Sequence, residues 1–261
     1  MPFAQSQDAR IYWRSQGLLT NPPLVLMHSI GTDNTLYDRP APFLEQQFRL
    51  LRIDIRGHGA SDAPAGDYSL SLLAGDCLSV MDAAGADRAI VCGTSLGAMI
   101  AMQLALDCPA RTRGLILANT SAEMDPALWP ERIATVSQSG VASIAEGWVA
   151  RHFSERFREE NRIQTDTVFS HMSSMSSTGY LGCAAAIRDM ALIGRLPEIA
   201  APTLVIGGEL DGPTPFAGHG DRIAATIPGA MTDLLPTGHL ACVEQPEAFA
   251  QCVARLAAHC K

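Results

Sequence analysis

The segment Gly93-Thr94-Ser95-Leu96-Gly97 places a serine in GxSxG spacing, after the apolar run Ala89 to Cys92 and before a helical pattern that starts at Leu96. A nucleophile elbow requires that context. The serine sits on a strained strand-to-helix turn, and its neighbours two before and two after must be small for the chain to pass. Gly93 and Gly97 meet that condition. The same glycines would also let a helix pack close on a strand, with Ser95 as an ordinary N-cap.

A serine hydroxyl is a weak nucleophile near neutral pH and needs a base, normally a histidine held in one tautomer by a carboxylate. Seven histidines are available. His239, in Thr237-Gly238-His239-Leu240, follows the apolar run Met231 to Leu235 and precedes the last helical stretch. This puts it on a loop at the C-terminal end of a strand, where ligands gather in open α/β sheets. His152, His171, His219 and His259 fall in helical or polar stretches and read as surface or satisfied polar residues. His58, in Arg56-Gly57-His58-Gly59, reads first as part of a glycine-rich turn, and His28 either orients the loop it opens or touches substrate. For the acid, Asp211 follows the run Thr203 to Ile206 and completes the order Ser, Asp, His; Glu209 and Asp125 compete, and each of the three could be a turn residue or helix cap.

Attack on an acyl carbon puts charge on its oxygen, which fixed backbone amides can bind. One donor is expected from the Leu96 amide and the other from the loop His28 to Asp33, at Ile30 or alternatively Ser29. A plain strand-to-helix turn would also make use of Gly31.

Positioning such groups calls for a sheet. Short β-branched runs at Leu24 to Met27, Leu50 to Ile53, Ala89 to Cys92, Gly114 to Ala118 and Thr203 to Ile206 read as interior strands. Helical patterns at Leu70 to Ala84 and Leu96 to Leu106 alternate with them, which predicts crossover connections and parallel pairing. Pro246 to His259 reads as a closing helix. From about Ala122 to Arg195 the chain carries Trp129, Trp148 and a serine-rich tract with helical spacing and no clear strand. The expected architecture is an α/β-hydrolase fold: a mainly parallel sheet flanked by helices, its core formed by residues 1–121 and 196–261, with 122–195 inserted as a helical cap.

With 261 residues, 47% of them hydrophobic, the chain can bury a substantial core. A net charge of −8 offers no basic patch for phosphates, so nucleic acid is not an expected partner and a small organic substrate is. Seven cysteines without a CxxC pair argue against a disulfide framework or zinc site, and they read as reduced thiols in a cytosol. The N-terminal stretch lacks the apolar run of a signal peptide. The uncharged run Ala89 to Leu106 approaches the length of a membrane span, but its glycines read better as strand, turn and core helix. No membrane partner, no metal and a cytoplasmic setting are therefore expected.

Taken together, Ser29-Ile30-Gly31-Thr32-Asp33, Asp54-Ile55-Arg56-Gly57-His58-Gly59-Ala60-Ser61, Gly93-Thr94-Ser95-Leu96-Gly97, Asn119-Thr120-Ser121 and Thr237-Gly238-His239 resemble the 3-oxoadipate enol-lactonases. The likeness runs into the inserted region through Trp129, Gly179-Tyr180 and Cys183-Ala184-Ala185-Ala186-Ile187-Arg188-Asp189. It implies a cofactor-free hydrolase that opens a small anionic enol-lactone during aromatic-compound breakdown, through an acyl-enzyme on Ser95. An anionic substrate wants a cation, for which Arg188 or Arg151 are candidates, with Trp129 and His28 also at the substrate. The chain departs from the family pattern at His28, Leu96 and Gly182, where the family carries asparagine, methionine and asparagine. A carboxylesterase acting on small esters would use the same machinery. A hydrolase-fold ligand receptor and a cofactor-free haloperoxidase side activity are further readings, whereas a haloalkane dehalogenase would need a carboxylate where Ser95 stands.

Overall fold

The computed structural model describes residues 2–260. Its sheet has eight strands: β1 (Phe3–Ser6), β2 (Ala9–Gln16), β3 (Pro23–Met27), β4 (Arg49–Ile53), β5 (Ala89–Thr94), β6 (Thr112–Ala118), β7 (Thr203–Gly208) and β8 (Met231–Leu235). They lie in the order β1-β2-β4-β3-β5-β6-β7-β8. The six strands from β4 to β8 pair in parallel, while β1 and β2 add an antiparallel edge. The chain thus has the α/β-hydrolase fold expected of it, and each interior run read from the sequence falls within one of these strands.

Burial explains why the central strands were legible and the edge was not. Every residue of β5 and β7 is buried, as a strand covered on both faces demands. β1 alternates exposed and buried positions, and polar residues hide its hydrophobic signal.

Helices α1 (Ala41–Leu44), α2 (Leu70–Ala83) and α3 (Leu96–Asp107) belong to the first half of the chain. Ten of the twelve residues of α3 are buried, which marks it as a core helix. Five helices are inserted between β6 and β7: α4 (Pro130–Ser139), α5 (Ala142–His152), α6 (Glu155–Glu160), α7 (Arg162–Ser174) and α8 (Ser177–Arg188). The second half closes with α9 (Gly220–Thr226), α10 (Ala241–Glu244) and α11 (Pro246–Ala257). The last helix stops at Ala257, two residues before the expected His259. Among the described residues no helix is long and apolar enough to cross a membrane, because the run Ala89 to Leu106 is divided into β5, a turn and α3. All seven cysteines are unpaired.

Candidate active site

At the end of β5 the chain turns sharply at Ser95, whose φ of 55° is rare for a residue with a side chain. Ser95 stands at the N-cap of α3 yet its side chain makes no capping hydrogen bond, so the ordinary-cap reading does not describe it. The flanking glycines are sterically required. A Cβ at Gly93 would overlap the backbone of Gly97, and one at Gly97 would overlap the Met27 carbonyl. The turn is therefore possible only with glycine at both places.

His239 lies in the loop after β8 and is almost wholly buried. Its Nδ1 is 2.9 Å and 3.0 Å from the two carboxylate oxygens of Asp211, in the loop after β7. Asp211 is held in turn by the Thr214 amide at 3.0 Å, the Thr214 hydroxyl at 3.1 Å and Asn119 Nδ2 at 3.1 Å. Burial alone would raise the Asp211 pKa, but His239, Thr214 and Asn119 more than offset it and hold the carboxyl below its usual range. The competing carboxylates lie elsewhere: Glu209 is exposed, and Asp125 is exposed and caps a short turn through the Ala127 amide.

Ser95 and His239 open onto one cavity of about 290 Å³. No hydrogen bond joins them directly, and His239 Nε2 is buried without a partner among the described residues. Such contacts often tighten only when substrate is bound. The core side of the cavity is formed by Ile30, Met99 and the Gly212 to Thr214 turn; the segment leading into the inserted helices supplies Met124, Leu128 and Trp129, and the helices themselves supply Arg132, Arg151, His152 and Ile187. Apolar side chains make up most of the walls, and besides Ser95, His152, Thr214 and His239 the polar groups are two arginines. Arg132 lies 5.1 Å from the Trp129 ring, and neither Arg132 nor Arg151 has an acidic side chain within salt-bridge distance among the described residues. Burial, and then the like charge of Arg132, pull the Arg151 guanidinium below its usual pKa.

Two residues expected at the substrate are not on this wall. Arg188 forks onto Asp189 at 2.6 Å and reaches Asp67 at 3.1 Å, so its charge is already matched at the surface. His28 is wholly buried beneath the loop after β3; its Nδ1 bonds the Ser29 carbonyl at 2.8 Å and its Nε2 accepts the Ile55 amide at 2.9 Å. It orients the loop, while Trp129 does line the cavity. The Ile30 and Leu96 amides, the two expected oxyanion donors, donate to no protein group among the described residues.

Three further residues enter the site: His152, expected to be a surface or satisfied polar residue, and Glu244 and Arg132, for which the sequence raised no expectation. His152 stacks on Trp148 with ring centroids 3.6 Å apart and meets the His239 ring edge-on at 4.8 Å. The Trp148-His152 spacing of four on one helix was a usable signal for that stack. Its carbonyl accepts the His239 amide at 2.8 Å. Glu244, nearly buried, accepts from Gly238 N at 3.1 Å and from Ser154 N and Oγ at 2.8 Å and 2.6 Å, tying the His239 loop to the inserted helices. Arg132 is the third. Among the described residues no group of three or more histidine, cysteine, aspartate or glutamate side chains is placed to hold a metal ion.

A family model described as alpha/beta hydrolase fold matches residues 22–246. The chain is similar to 3-oxoadipate enol-lactonase 2 of Acinetobacter baylyi, 29% identical over 245 residues that cover 94% of this chain and 91% of that protein. Among solved structures, a hydrolase from Pseudomonas aeruginosa is 40% identical with a TM-score of 0.94, covering 98% of this chain and 97% of that one. The enol-lactonase from Burkholderia xenovorans is 30% identical with a TM-score of 0.95, covering 98% and 100%.

Proposed function

The chain belongs to the alpha/beta hydrolase fold family and is an enzyme acting on ester bonds, and on that footing we propose that it is a serine hydrolase opening a small anionic lactone. Ser95 is the nucleophile, His239 the base and Asp211 the residue that fixes the base. The inserted helices act as a cap that supplies the substrate-facing wall.

In this mechanism His239 Nε2 takes the Ser95 proton as Oγ attacks the lactone carbonyl, and Asp211 stabilises the imidazolium. The carbonyl oxygen becomes an oxyanion held by the Ile30 and Leu96 amides. Collapse breaks the ring C–O bond, and His239 returns the proton to the departing oxygen, which stays tethered to the acyl group. Water, activated by the same histidine, then frees Ser95. The proposed setting is aromatic-compound breakdown in the cytoplasm, and the likeness to enol-lactonases supports it.

The observation that carries the anionic reading is the pair Arg132 and Arg151, two unmatched cations on the wall of the Ser95 cavity. Guanidinium groups beside an apolar wall favour a carboxylate, here with Arg132 half-buried and Arg151 at the exposed rim. A neutral ester is the second reading, favoured by the apolar walls at Met99, Met124, Leu128 and Ile187.

Parallel assays on an enol-lactone bearing a carboxylate, a saturated lactone and short p-nitrophenyl esters test this. The acidic enol-lactone is expected to have the highest kcat/KM. Ester turnover without lactone turnover would replace the first reading with the second.

A further inference from the structure

We infer that His58 is a positioning residue that holds the loop after β3 in the arrangement leaving the Ile30 amide free for an oxyanion. The inference rests on the serine-hydrolase reading above and adds to it a residue outside the triad.

The loop from His28 to Asn34 offers seven amides in a short stretch, and three of them donate to acceptors within the protein. The Gly31 amide donates to His58 Nε2 at 3.1 Å, the Thr32 amide to the Ser29 carbonyl at 3.2 Å, and the Asn34 amide to Asp54 Oδ1 at 2.7 Å. Ile30, which lines the cavity, keeps an amide with no protein acceptor among the described residues. His58 thereby withdraws the neighbouring amide and fixes the direction of the next peptide.

To accept from Gly31, His58 Nε2 must carry a lone pair, so the ring is neutral with its proton on Nδ1, which faces the Arg56 carbonyl at 3.2 Å. His28 repeats the pattern beside it, with the two rings edge-to-face at 5.0 Å. Burial, joined by the neighbouring His28, lowers the His58 pKa to about 3, and burial lowers that of His28 to about 4. The charged groups around the pair do not reverse this. Asp54 is occupied by Asn34 and the Ala60 amide, Asp33 is paired with His171 at 2.9 Å, and the Arg56 guanidinium is bound to Asp76 and Asp8.

The inserted helices contact both parts of this arrangement. Met172 of α7 packs against Gly31, and Gly179 of α8 lies so close to Gly57 that neither could carry a Cβ. The inserted helices thus contact both the loop and the turn bearing His58, with no space left between Gly57 and Gly179.

The test compares native enzyme with His58→Ala and His58→Gln, whose amide oxygen can stand where Nε2 stood. Readouts are kcat and KM on a p-nitrophenyl ester and affinity for an aryl trifluoromethyl ketone, whose adduct with Ser95 carries an oxyanion. Loss of positioning in His58→Ala is expected to lower kcat about 100-fold with KM nearly unchanged. Ketone affinity should fall in proportion, and His58→Gln should recover much of both. A folded His58→Ala with native kcat or native ketone affinity overturns the inference. Nitrogen-15 shifts of the native histidine give a measurement independent of folding. A neutral Nδ1–H tautomer at pH 5 to 7 is expected, and an Nε2–H tautomer or titration near the ordinary histidine value overturns it. Failure of native Ser95 to react with the ketone at all sinks instead the serine-hydrolase reading.

Discussion

His239, which lines the Ser95 cavity, meets both oxygens of Asp211 through Nδ1, at 2.9 Å and 3.0 Å, while its Nε2 is buried without a partner among the described residues. One nitrogen is saturated and the other is free. That asymmetry specifies the Nδ1–H tautomer and leaves the Nε2 lone pair unused by the protein.

Ser95→Ala and His239→Ala should each lower kcat by about 10⁴-fold or more while the thermal midpoint stays within a few degrees. Turnover and circular dichroism on the same samples check this. Retained activity in Ser95→Ala would refute the mechanism.

Asp211→Asn preserves shape but favours the wrong histidine tautomer, and a loss in kcat of about 10⁴-fold is expected. Glu209→Gln and Asp125→Asn should be near native, because both carboxylates are exposed and away from the cavity wall. A larger loss in either than in Asp211→Asn would reassign the acid.

Arg132→Gln and Arg151→Gln should raise KM for a carboxylate-bearing lactone by about 10-fold to 100-fold, the value of a charge-assisted hydrogen bond. Turnover of an uncharged p-nitrophenyl ester should change little. Arg188→Gln should alter neither, since its partners are Asp189 and Asp67. Steady-state kinetics on the two substrates decide it.

Glu244→Ala leaves the buried donors of Gly238 and Ser154 without their acceptor, at a cost of roughly 2–4 kcal/mol in unfolding free energy. Urea denaturation measures the loss. Ser154→Ala, which keeps the Gly238 contact, should cost less.

Stability should fall as pH drops from about 6.5 toward 4. His28, His58 and His152 are buried with pKa values lowered by desolvation first, to about 4, about 3 and well below the ordinary value. The unfolded chain binds protons at these sites below about 6.5 and the folded chain does not, so acid favours unfolding. Asp211, whose folded pKa is depressed, adds its own loss only below about 3.8, which separates the two windows. Thermal midpoints at pH 7, 5 and 4 should decline, and the His58→Gln protein should decline less.

The elbow was readable from five residues because sterics and chemistry coincide there: glycine at 93 and 97 is required by backbone overlap, whatever the serine does. The interior strands were readable from burial on both faces. The edge hairpin β1–β2 was not, since a strand with one solvated face dilutes its apolar residues. Within the inserted helices the sequence could name cations but not aim them. Arg132 faces the cavity and Arg188 does not because of how α4 and α8 dock, which no local pattern encodes. For Arg188 a warning was present in the adjacent Asp189, the carboxylate that takes its charge.

The five helices inserted between β6 and β7 also divide the site in time. Ser95 and its elbow leave the ribosome before them, whereas Asp211 and His239 follow only after β7 and β8. On the proposed mechanism a partly synthesised chain can bear a folded serine turn and still be inert, because its base has not been made. Catalytic power then arises late, when distant segments meet, and these long-range closures are the slow part of folding. The inserted helices are tied to the His239 loop through the His152 carbonyl and through Glu244, so that meeting joins three separated stretches of the chain.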